Sequence, residues 1–285
     1  MKRLFTTLIL VIFISTISYS QCWEYVTSGH ATTIAIKKDG TLWAWGWNSK
    51  GQIGNGNSTD QYQPVQIGSA NDWKKVSINS EHSLALKTNG TIWSWGNNQS
   101  GELGLGNYIN QSTPTQIGTD INWIDIGAGN DFSIALKSDG TIWSWGNNNN
   151  GQLGNGTTMD ETIPQQMNSE TDWKSISVGS EHTVAMKNDN TIYSWGNNLY
   201  GQLGDGTWTI SDQPYQFGSS ITWDKIFAGF DHTFGIATNG SLYAMGKNSS
   251  WELGDNTTTK KNVPTLIGTD TDWLTISPGG SHTLG

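Results

Sequence analysis

One cysteine, one arginine and six prolines are all that this 285-residue chain holds of those three types, and charged residues make up only 14% of it. Each scarcity excludes something. With Cys22 alone no disulfide can form within the chain, so its stability must come from packing. The arginine is Arg3, and 24 acidic residues stand against 15 basic ones. Beyond Arg3, close to the N-terminus, the chain has no guanidinium group, and an acidic surface of that kind is poorly suited to phosphate backbones, which argues against nucleic acid as a partner. Long apolar runs are missing too. The one candidate, Leu8 to Ile14, is too short for a good membrane span. No segment keeps a 3.6-residue apolar stripe for three turns, so an array of helical repeats is excluded.

What is present is a repeat. "TIWSWGNN" occupies Thr91 to Asn98, recurs at Thr141 to Asn148 and returns as "TIYSWGNN" at Thr191 to Asn198. Trp23, Trp73, Trp123, Trp173, Trp223 and Trp273 open successive units, and Pro64, Pro114, Pro164, Pro214 and Pro264 fall near their ends. The period of 50 residues is never interrupted, so five whole units run from Trp23 to Asp272 and a sixth begins at Trp273.

Within a unit the pattern is that of strands. In "SIALKSDGTIWSWG" (Ser133 to Gly146), two apolar segments flank Asp139-Gly140, a dipeptide suited to a tight hairpin turn. Trp143 and Trp145 share one face of their strand, while Ile142 and Ser144 share the other. A bulky face opposite a small one suits sheets stacked on copies of themselves. Trp45, Trp95, Trp145 and Trp195 are therefore expected to cement the units together, each removing roughly 150–250 Å² from water. The runs "WKSISVG" (Trp173 to Gly179) and "PVQIG" (Pro64 to Gly68) complete four strands in about 50 residues, the size of a β-propeller blade.

The first twenty residues differ from the rest. Lys2 and Arg3 precede the apolar stretch, and Ser18 and Ser20 have the spacing a signal peptidase requires. Residues 1–20 are read as a secretory signal and residues 21–285 as the propeller. Gln21 is not small, which disfavours lipidation of Cys22. Removing the signal takes away Lys2 and Arg3, leaving 13 basic and 24 acidic residues and a net charge of −11. The chain stops at "SHTLG" (Ser281 to Gly285), partway through a strand and its turn, so a fragment of a longer protein is expected.

The consensus "W..IS.G..HT.A.K.DGTIWSWGNN..GQLG.G......P.QIG", carried by Trp23 to Gly285, resembles the repeat of the regulator of chromosome condensation family. The resemblance implies a seven-bladed propeller, hence at least one further blade. Members include a nuclear exchange factor for a small GTPase, whose activity depends on a wedge-like insertion; the equal unit lengths here leave no room for one. In a plant ultraviolet-B photoreceptor a "GWRHT" motif supplies clustered tryptophans; the matching positions read "GSEHT" (Gly179 to Thr183) and "GFDHT" (Gly229 to Thr233), without Trp or Arg. In organisation the chain is most similar to a third, secreted bacterial kind that grips a protein through the loop face of a plain ring.

His82, His182, His232 and His282 recur at one position, the first three preceded by an acid, and could suggest metal binding or acid–base chemistry. Because the position repeats with the fold, while Thr32 and Phe132 replace it in units one and three, a structural role is expected, with no catalytic residue, metal or cofactor. "GQLGNG" (Gly151 to Gly156) superficially matches a phosphate loop, but no helix pattern follows and it recurs, so it reads as a turn. Residues that depart from the consensus say more. Trp47, Tyr62, Tyr108, Tyr200, Trp208, Phe230 and Trp251 fall at such places and are suited to anchoring a protein or stacking on a sugar. Some of them could equally cover the rim of the core. The expectation is an exported, non-enzymatic propeller that binds an extracellular protein or glycan. The alternatives are a secreted polysaccharide-active enzyme and, by family analogy, a nucleotide exchange factor.

Overall fold

The computed structural model describes residues 22–285, so the segment read as an export signal lies outside the described residues. The first unit is an antiparallel sheet of β1 (Trp23–Ser28), β2 (Thr32–Lys37), β3 (Leu42–Gly46) and β4 (Gln61–Gln66), paired in that order. Four further sheets repeat it at residues 73–116, 123–166, 173–217 and 223–267. A sixth begins with the pairing of Ser277–Pro278 with Thr283–Leu284. The described residues are thus all-β, with five four-stranded propeller blades and part of a sixth.

Burial follows position in the blade. The first strands of successive blades touch one another and line a central channel of about 740 Å³. Second strands such as β2 are covered on both faces and are almost wholly buried, and so carry apolar residues without alternation. Fourth strands such as β4 form the outer edge, where Pro64 and its equivalents cost no ladder hydrogen bond.

One carbonyl organises each blade joint. The Gln52 carbonyl accepts from the Trp95 indole at 2.8 Å and from the Ser83 hydroxyl at 2.9 Å, both on the following blade. At the next joint the Glu102 carbonyl accepts from Trp145 at 2.9 Å and Ser133 at 2.8 Å. Trp195 donates in the same way to the Gln152 carbonyl. Trp95, Trp145 and Trp195 are completely buried by this contact, whereas Trp45, on the first blade, is half-buried. Chain direction then sorts the connections. The tight hairpins and the inter-blade linkers lie at one end of the ring, and the short loop after each first strand lies at the other, with the long loop between third and fourth strands. The second end is the loop face.

Candidate functional site

The repeated Trp-Gly-Asn-Asn segment builds the loop face. The second Asn is completely buried in every blade: Asn48, Asn98, Asn148, Asn198 and Asn248. Its side-chain oxygen accepts from the backbone of Ile53, Leu103, Leu153, Leu203 or Leu253, at 2.9 to 3.1 Å. Its amide donates across the long loop, for example to the Asn57, Asn107 and Thr157 carbonyls. Where the loop returns, Asp60, Asn110 and Asp160 cap the backbone N–H of Asn48, Asn98 and Asn148. Between the Gly-rich turn and this return, the residues differ from blade to blade.

The histidines are parts of the joints. The Thr233 hydroxyl donates to the Gln202 carbonyl at 2.8 Å, so it accepts from His182, whose Nε2 lies 2.9 Å away and carries the proton. His82 stands likewise to Ser133 at 2.9 Å, and His232 to Thr283 at 3.5 Å. Burial lowers the pKa of His82 to about 4, of His182 to about 3 and of His232 to about 4. The acids that precede them, Glu81, Glu181 and Asp231, and Asp131 at the same position before Phe132, sit on four successive blades. Burial first, then the charges of Glu81 and Glu181, raise the pKa of Asp131. The Glu102 carboxyl accepts from Asn97 at 2.7 Å, and burial first, with the charge of Asp131 adding to it, pushes its pKa up to about 7. Among the described residues, no three His, Cys, Asp or Glu side chains converge as a metal site.

All seven off-consensus aromatics lie on the loop face or at its rim. Tyr62 is 95% exposed, Trp251 67%, Tyr108 61% and Trp208 44%. Trp47, Tyr200 and Phe230 are half-buried. Phe230 lines the channel, and its carbonyl accepts from the Ser180 hydroxyl at 2.6 Å. Trp251 has φ +63°, a left-handed conformation that is an outlier for an aromatic residue. Its counterparts are Gly51, Gly101, Gly151 and Gly201, where an added Cβ would meet the next blade's backbone within 3 Å. Only Tyr200 and Trp208 are brought together. The Lys260 ammonium lies 4.2 Å from the Trp208 ring centre and 5.9 Å from that of Tyr200, and that of Lys247 lies 5.6 Å from Tyr200.

Sequence reasoning missed the lysines. Lys137 lies against the rings of Trp123 and Trp143, 4.6 and 3.9 Å from their centres, and pairs with Asp120 at 2.7 Å. Lys37, Lys87 and Lys187 occupy the same aromatic clefts in their blades. The signal was available, because a Lys follows Trp23, Trp73, Trp123 and Trp173 by 14 residues each time.

The RCC1-like domain model matches residues 14–285. The ultraviolet-B receptor UVR8 of Arabidopsis thaliana is 48% identical over 42 residues, which are 15% of this chain and 10% of the receptor. Among solved structures, human WBSCR16 is similar with a TM-score of 0.82 at 22% identity, over 92% of this chain and 71% of that one. Prp20p of Saccharomyces cerevisiae, whose structure was described with its binding properties to Gsp1p and histones, has a TM-score of 0.79 at 20% identity. That match covers 91% of this chain and 66% of Prp20p. At such identities these two likenesses speak to fold alone.

Proposed function

Because the chain belongs to the RCC1-like domain family, we propose that it is an exported, non-enzymatic propeller that presents its loop face to an extracellular protein or glycan. The observation that carries this reading is the exposure of Tyr62, Tyr108, Trp208 and Trp251 on one face, at positions that blade packing does not dictate. Large aromatics on rigid loops bind at low entropic cost. Residues 1–20 support export through their basic start, short apolar core and small residues.

The test uses the triple variant Tyr62→Ser, Tyr108→Ser, Trp251→Gly, in which the last change restores the residue found in four other blades. Wild type and variant are compared for capture on an immobilised glycan panel and for capture of solubilised surface proteins from the source cells. The expected result is a loss of capture of tenfold or more with unchanged thermal melting. Undiminished capture would remove this face from the binding site.

A further inference from the structure

We propose that the Trp208–Lys260 cluster, between the fourth and fifth blades on the loop face, binds a carboxylated sugar. This rests on the loop-face reading and names a ligand class for one part of that face. The first observation is a cation held in place. Lys260 is exposed, yet its ammonium is fixed 4.2 Å over the Trp208 ring and donates to the Leu199 carbonyl at 3.1 Å. Both partners are neutral, and among the described residues no carboxylate pairs with it. Its neighbours differ, since Lys247 pairs with Asp231 at 3.9 Å and Lys261 with Asp255 at 3.3 Å. A positioned ammonium without a counter-charge suits an incoming anion, because the ordering cost of the side chain is already met.

The second observation is what the fold gives up to place it there. In the first three blades the Lys260 position is Asp60, Asn110 or Asp160, whose side chain caps a buried Asn backbone N–H. Ile210 and Lys260 stand there in the fourth and fifth blades and cannot accept that bond. The cap is surrendered at the two loops that form the cluster. Trp208 and Tyr200 add flat apolar surface beside the ammonium, the combination that receives the C–H face of a sugar ring together with its carboxylate.

An acidic peptide is the competing anion, and the loop does not favour it. The Thr207 backbone N–H donates to Asp205 at 2.8 Å, and that of Thr209 to the Thr207 hydroxyl at 3.3 Å. With these donors satisfied internally, the loop offers no strand edge to an extended chain. The acidic background of the molecule is screened beyond about 8 Å at physiological salt, so the local cation decides.

The experiment is calorimetric titration of the full chain with trigalacturonate, maltotriose and hexaglutamate. Trigalacturonate is expected to bind, weakening as salt rises. Lys260→Gln and Trp208→Ala should each weaken it tenfold or more with thermal melting unchanged, whereas Ile121→Ser, at an exposed linker residue on the opposite end of the ring, should leave it as in the wild type. Lys260→Gln keeps most of the side-chain stem, so it reads the charge even if Trp208→Ala perturbs the loop. Equal binding of maltotriose, tighter binding of hexaglutamate, or wild-type affinity in both variants would overturn the proposal. So would a lack of binding to trigalacturonate; if the triple variant nevertheless loses capture, the loop-face reading stands and only this assignment falls.

Discussion

A carbonyl oxygen has two lone pairs, and at each of two joints a single Gly-rich-turn carbonyl, that of Gln52 or Glu102, uses both on the next blade. At the Gln202 carbonyl the hydroxyl of Thr233 also accepts from His182, so removing it orphans two buried groups. Thr233→Val, nearly isosteric, is expected to cost about 1–3 kcal/mol for each orphaned group, read from urea unfolding. The buried histidines set the pH dependence. Their folded pKa values of about 4, 3 and 4 lie below the ordinary 6.5, so between those limits the unfolded chain binds protons that the folded chain does not. Their stabilisation is fully present above pH 6.5 and is lost as pH falls, by about 1.4 kcal/mol per unit for each histidine. Glu102 works in the opposite sense. Raised from 4.5 to about 7, it is protonated in the folded state first and offsets one histidine between pH 6.5 and 4.5. Urea unfolding across that window should therefore give an uptake of about two protons in the wild type and about three in Glu102→Gln.

Among elements, the fifth blade is the informative exception. Blades one to four hold Lys37, Lys87, Lys137 and Lys187 against two aromatic rings, an arrangement that partly buries the stem and lets the rings face the cation. In the fifth blade Ala237 replaces the lysine, and Trp223 takes up the space. Its ring lies over Gly235, where a Cβ would come within 2.4 Å of Cζ3; the other blades have Ala35, Ala85, Ala135 and Ala185 there. From this position the Trp223 indole donates to the Gly218 carbonyl at 3.3 Å, while Nε1 of Trp73, Trp123 and Trp173 is buried without a partner. Gly235→Ala, conservative by the consensus, is expected to destabilise by about 1–3 kcal/mol through overpacking, as measured by thermal and urea unfolding. A neutral outcome would mean that Trp223 can swing back to the position its counterparts occupy.

At the scale of the whole molecule the two ends of the ring differ in kind. The hairpin end carries turns and the Lys–aromatic clefts, which repeat with the fold. The loop end carries the carboxylates Glu81, Asp131, Glu181 and Asp231 around its inner loops and the exposed aromatics toward its rim. Partner capture should therefore be one-sided. Ile121→Ser, at an exposed linker residue on the hairpin end, should leave capture unchanged where the loop-face triple variant weakens it tenfold or more. Equal losses from both ends would indicate nonspecific adhesion by exposed apolar residues rather than a site.

The 50-residue period, the four strands per unit, the hairpin turns and the structural part of the tryptophan pattern are legible in the amino-acid order. Each blade must offer the same shape to the next, so packing constrains the same positions every time. The departures from consensus were legible as departures, and they include Trp208 and Trp251. What those departures touch is decided only in three dimensions. Trp208 and Lys260, or His182 and Thr233, lie about fifty residues apart and meet because adjacent blades stack. A local pattern of strands and turns carries no trace of such a meeting. Chain direction through successive antiparallel strands then brings every long loop to one end, and by that means scattered aromatic residues come to share a face.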